Sequence, residues 1–151
     1  MQRLNKKSAI AKIHGGEMYP NIKGKVTFKQ TKDGVLVTAE IYGLPTSKGS
    51  CNNRTFGFHI HSGSQCTGTM KDEFANTMGH YNPYKCEHPY HAGDLPPLME
   101  NNGNAYMTFL TNRFTVQEII GKTVLIHSMP DDFKTQPAGN SGEKIACGEI
   151  I

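Results

Sequence analysis

Val35, Val37, Ala39 and Ile41 occupy every second position of residues 34–44, a period that suits an extended strand burying one face. Val26 and Phe28 repeat the pattern in residues 25–30, and Lys32-Asp33-Gly34 supplies a hairpin turn between the two segments. Similar readings predict strands over 8–14, 56–63, 94–100, 105–111, 123–129 and 144–150, eight in all. Asn101-Asn102-Gly103-Asn104 reads as a turn, and residues 116–121 as a short helical turn. Gly is abundant at 16, Pro adds 8 and Trp is absent, while apolar residues come in short bursts. The expected class is therefore all-β. A chain of 151 residues can bury one good core, so a single domain over 1–151 is expected.

Charge excludes some functions. The formal net charge is +3, and Lys and Arg are scattered without an aromatic-interleaved basic patch, so nucleic acid is not an expected partner. A small basic excess could still attract a small anion. No apolar run is long enough for a membrane span. Residues 1–7 begin with charge but lack the apolar stretch of a secretory signal, which predicts a cytoplasmic protein, or an extracytoplasmic one if a leader was removed. In that compartment Cys51, Cys66, Cys86 and Cys147 default to reduced thiols or metal ligands.

Two irregular stretches, 62–93 and 130–143, are too long for idle connections in a compact domain. The histidines explain them. His59, His61, His80, His88, His91 and His127, with Asp94, fall in three tight groups in or beside these loops; only His14 stands apart. In Phe58-His59-Ile60-His61 strand alternation sends Phe58 and Ile60 inward, leaving His59 and His61 side by side on the outer wall. Ile126-His127 does the same on another strand. His80, from its loop, completes a four-nitrogen set of the kind copper(II) prefers. His80, His88, His91 and Asp94 make three imidazoles and a carboxylate, a closed structural zinc set. His80 belongs to both, because an imidazole can ligate through each nitrogen.

These residues resemble the copper,zinc superoxide dismutase family over nearly the whole chain. The resemblance is carried by GFHIH at 57–61, GHYNP at 79–83, HAGDLP at 91–96, the IH of Ile126-His127 and GNSGEKIACG at 139–148. It implies an eight-stranded Greek-key β-barrel, a flattened, immunoglobulin-like sandwich with the metals outside under two long functional loops. It also implies copper on His59, His61, His80 and His127, and zinc on His80, His88, His91 and Asp94. Cys66 and Cys147 match the family's disulfide. Asp131 matches the carboxylate linking a copper histidine to a zinc histidine.

Some positions depart from the pattern. Lys144 stands where the family has an anion-attracting Arg; Lys keeps the charge but lacks the planar fork, which implies a reduced rate. The stretch between His88 and His91 is shorter than usual and crowds the zinc ligands, and the 130–143 loop leaves Lys134 and Lys144 to carry most of the local attraction. Cys51 and Cys86 match no family role; free thiols or a second disulfide are both open. The implied activity is disproportionation of superoxide, with His80 and Lys144 as catalytic residues, copper and zinc as cofactors, and a homodimer and a copper chaperone as partners. Ile150-Ile151 could join a dimer interface or pack on its own barrel. The rival reading is a non-enzymatic metal-binding or copper-handling domain of the same fold.

Overall fold

The computed structural model describes residues 5–151. Its strands are β1 (Ser8–Gly15), β2 (Lys23–Gln30), β3 (Val35–Tyr42), β4 (Thr55–Phe56), β5 (Phe58–His61), β6 (Leu98–Met99), β7 (Ala105–Thr111), β8 (Thr123–His127) and β9 (Lys144–Glu149). Besides a 3-10 turn at Ala75–Thr77 there is one α-helical turn, α1 (Val116–Ile119), which opens on a capping box in which Thr115 and Glu118 each bind the other's backbone amide.

Seven strands form one antiparallel sheet in the order β5-β8-β9-β1-β2-β3-β7, and β4 pairs with β6. The β2–β3 hairpin closes at Gln30↔Val35, as its turn residues predict. Residues 93–100 run along the β4–β5 end of the curled sheet, with β6 close to β7 at the other end. Ile60 N–H donates to Gly93 O at 2.8 Å, Leu95 N–H to Phe58 O at 3.3 Å and Glu100 N–H to Arg54 O at 2.8 Å. Counting β4 and β5 as one track broken at Gly57, and β6 as the track beside β7, gives the eight expected positions. The expected 94–100 strand shrinks to Leu98–Met99, since Pro96 and Pro97 carry no N–H for a ladder.

Alternation sorts the side chains as anticipated. Val35, Val37, Ala39 and Ile41 are fully buried together with Val26, Phe28, Phe58, Ile60, Val124 and Ile126. The opposite side of β8 and β9 carries a second, smaller cluster, Leu125, Cys147 and Phe74, with Cys66 packed against it. This is the outer wall beneath the first long loop. Cys66 and Cys147 are disulfide-bonded and clip that loop to β9.

One irregularity matters for function. β8 and β9 run in register from Thr123↔Glu149 to Ile126↔Ala146, then slip so that His127 faces Lys144. Ile145 and Ala146 are both in the main core although they are adjacent. The bulge absorbs Ile145 as an extra inward residue. Strict alternation from Ala146 would have turned Lys144 inward. The extra residue returns it to the wall that bears His127.

Candidate metal centre

β5 and β8 lie side by side, with His59↔Leu125 and Phe58↔Ile126 in register. They bring His59, His61 and His127 to one wall. His80 arrives from the first loop through a bridge to His61. Nitrogen atoms of His59, His61, His80 and His127 all lie within 4.8 Å of one another, and so do ligand atoms of His80, His88, His91 and Asp94. All seven anticipated residues thus converge in two groups that share His80. His14 stays outside, its ring 6.2 Å from Phe74.

The hydrogen bonds around the rings assign their free nitrogens. His61 Nδ1–H donates to Met78 O at 2.7 Å, and His127 Nδ1–H to Gly142 O at 3.3 Å. A carbonyl only accepts, so both neutral rings turn an Nε2 lone pair inward. These two Nε2 atoms are 3.2 Å apart. Two lone pairs so close repel unless a cation lies against both.

Asp131 sets two more rings. Its carboxylate accepts from His59 Nε2–H and His88 Nε2–H, both at 2.8 Å, which leaves Nδ1 of each as a lone pair. Among the described residues the buried side-chain nitrogens and oxygens without a hydrogen-bond partner are His59 Nδ1, His80 Nε2 and His88 Nδ1, the last 3.1 Å from Asp94 Oδ2. Unpartnered buried acceptors are costly in a folded protein. Each belongs to one of the two groups, and His80 turns its orphaned Nε2 to the first while Nδ1 sits 2.8 Å from Asp94 in the second. The donor set fits copper at the four-imidazole group and zinc at the three-imidazole, one-carboxylate group.

Electrostatics agree. Burial holds His127 down to about 3, against its usual 6.5. Burial likewise lowers His61, His59 and His91, with neighbouring histidines adding to the effect. Against the opposing cost of burial, hydrogen bonds from His59 and His88 hold the Asp131 carboxyl well below its normal range, and His80 does the same for Asp94. Neutral imidazoles beside ionised carboxylates are the forms that bind metal.

The scaffold of the second group was not legible in the sequence. Gln136 grips the backbone of His88 from both sides, Oε1 accepting its N–H and Nε2 donating to its carbonyl, each at 2.8 Å. Arg113 Nη1 donates to the carbonyls of Pro89, His91 and Asp94 at 2.9–3.3 Å. With these two clamps the short His88–His91 stretch still brings its ligand atoms together. Gly139, at φ +70°, is required as well, because a Cβ there would lie 2.0 Å from Asp131 Oδ1.

An open cavity of about 1300 Å³ lies over the first group, with His61, His80, His127 and Lys144 among its lining residues. The expectation that Lys134 and Lys144 carry the local attraction needs correction. Four carboxylates, Glu17, Asp72, Glu73 and Glu143, line it against Lys71 and Lys144. Lys134 is exposed and lies outside that lining. Cys51 and Cys86 are free, exposed thiols. Ile150 packs into its own core, while Ile151 is exposed.

Fold and site together define a β-barrel protein whose outer wall carries two adjoining metal sites sharing one imidazole. The family described as copper/zinc superoxide dismutase (SODC) matches residues 22–150. The chain is 34% identical over 142 residues to Superoxide dismutase [Cu-Zn] 2 of Aquifex aeolicus, covering 84% of this chain and 78% of that one. Superoxide dismutase [Cu-Zn] of Legionella pneumophila is 35% identical over 135 residues, covering 84% and 76%. The solved Cu/Zn superoxide dismutase from Brucella abortus shares the fold at a TM-score of 0.79 and 24% identity, covering 95% of this chain and 99% of that one. This chain belongs to the copper/zinc superoxide dismutase family.

Proposed function

We propose that the protein disproportionates superoxide to dioxygen and hydrogen peroxide. The observation that carries the reading is the pair of inward Nε2 lone pairs on His61 and His127 beside the orphaned nitrogens of His59 and His80. His59, His61, His80 and His127 would hold copper; His80, His88, His91 and Asp94 would hold zinc. When bound, copper supplies the one-electron exchange the reaction needs, and zinc a fixed charge on the shared ring.

The protein's own groups do the rest. Lys144, on the wall beside His127, supplies a positive contact for the anion. His80 Nε2, whenever it is not serving as a copper ligand, would take up and return one proton in each cycle, while Nδ1 of the same ring is turned toward Asp94 and the zinc set. Solvent in the open cavity provides the second proton, so two superoxides and two protons yield one dioxygen and one peroxide. Asp131 ties a ring of each set to one carboxylate, so neither can rotate alone.

We read residues 1–151 as one domain. A homodimer and a copper donor protein complete the proposed partners; the near-complete burial of His59, His61 and His127 favours assisted loading. Among the described residues no helix is long and apolar enough to cross a membrane. The cytoplasmic reading stays part of the proposal, with the two free, exposed thiols in its favour and the Cys66–Cys147 disulfide against it. Sedimentation and cell fractionation test the dimer and the compartment.

Pulse radiolysis of copper- and zinc-loaded protein tests the activity, with His127→Ala as control. Rapid superoxide decay lost in the variant is expected. Decay no faster than buffer at full copper occupancy would leave the non-enzymatic metal-binding reading.

A further inference from the structure

Lys144 does not face the cavity as a free cation. Its Nζ donates to Asp72 Oδ2 at 3.3 Å and to Phe74 O at 3.2 Å, and its side chain is only 15% exposed. Asp72 is itself held. Its Oδ1 accepts from Phe74 N–H at 3.0 Å, its carbonyl accepts from Thr69 and Ala75, and its own N–H donates to Thr69 Oγ1 at 3.2 Å. The next residue, Glu73, receives Glu17 N–H on both carboxylate oxygens at 2.9–3.0 Å, tying the loop to the β1–β2 turn. Asp72 and Phe74 belong to the loop that the Cys66–Cys147 disulfide clips to β9, the strand that carries Lys144.

An ammonium lacks the planar fork of a guanidinium and has no fixed direction of its own. Here two acceptors on a pinned loop supply the direction. One of them is an anion, so the position comes with a loss of charge. A carboxylate 3.3 Å from Nζ cancels most of the cation's field beyond a few ångströms. The other carboxylates of the rim add to the cancellation.

Building on the proposed activity, we infer that Asp72 is a positioning residue acting through Lys144, holding the ammonium beside His127 while attenuating its attraction for anions. The chain is thereby tuned for a fixed, short-range contact with the anion in place of long-range steering.

The test uses full-length, copper- and zinc-loaded wild type, Asp72→Asn, Lys144→Met and the double variant. Azide affinity is read from the copper absorption band, and superoxide decay is followed against ionic strength. In wild type the decay rate should be flat or rise slightly with salt. Asp72→Asn should bind azide about threefold more tightly at low salt and show a rate that falls as salt rises. In the Lys144→Met background, Asp72→Asn should change azide affinity far less. An equal gain in both backgrounds would overturn the inference, since Asp72 would then act only by its own charge. Weaker azide binding in Asp72→Asn would also overturn it, because attenuation would then be absent. The azide titration needs copper but not turnover, so failure of the superoxide reading shows separately, as wild-type copper protein without decay.

Discussion

Asp131 shows most clearly how one side chain organises two sites. It sits between His59 Nε2 and His88 Nε2 at 2.8 Å from each, so one charge fixes both tautomers. Asp131→Asn offers one carbonyl oxygen and one amide group, which cannot accept from two N–H groups at once. The variant should lose about 10–100-fold in zinc affinity, measured by chelator competition. Met78 is a second case. It has φ 60° and ψ −150°, a region nearly confined to glycine, while its carbonyl orients His61. Met78→Gly keeps that carbonyl and removes the strain. Its urea midpoint should rise by the equivalent of about 1 kcal/mol, with copper affinity unchanged.

At the level of elements, the outer wall depends on two devices, a bulge and a clip. The slip between Ile126 and His127 decides which β9 residue stands beside the copper group. The disulfide spans 81 residues, and in the chain-entropy account closing such a loop stabilises the fold by about 4.5 kcal/mol. A Cys66→Ser, Cys147→Ser variant should lose a large part of that in urea unfolding of the metal-free protein. The loss should fall chiefly on the first loop, seen as faster amide exchange over residues 66–80, because Phe74 and Leu125 form only a small cluster there. By contrast, Ile60 lies fully buried in the main core, so Ile60→Ala should cost about 2–5 kcal/mol and unfold the barrel as a whole.

For the whole molecule, burying uncharged histidines links stability to pH. His127, His61, His59 and His91 all have folded values below the ordinary 6.5. Below about pH 6.5 the unfolded chain therefore binds more protons than the folded one. The stability due to these rings is fully present above that value. It is lost as pH falls toward the folded values, about 3 for His127. The metal-free protein should thus show a urea midpoint that drops between pH 7 and pH 5. Loaded protein should stay stable to lower pH and then release its metals, as protons compete for the same nitrogens.

Much of this architecture was legible in the sequence, because strand alternation acts locally. Two-residue periodicity separates Phe58 and Ile60 from His59 and His61 without reference to anything distant, and the seven candidate ligands announce themselves by residue type. Other features depend on groups far apart in the chain. Gln136 meets His88 across 48 residues, Arg113 reaches Pro89 across 24, and Asp72 reaches Lys144 across 72. No local pattern encodes such pairs. The expected attraction by Lys134 and Lys144 fell short for that reason: the charge of Lys144 can be read from one residue, but its partner and the four carboxylates of the rim come together only when the loops fold over the barrel. The sequence by itself determined the β class, the inward and outward faces and which residues are the candidate ligands, since period and donor chemistry are properties of short segments. Only the tertiary structure decided which nitrogen of each ring is free, which wall Lys144 occupies and what charge surrounds it, since those depend on contacts that loop closure creates.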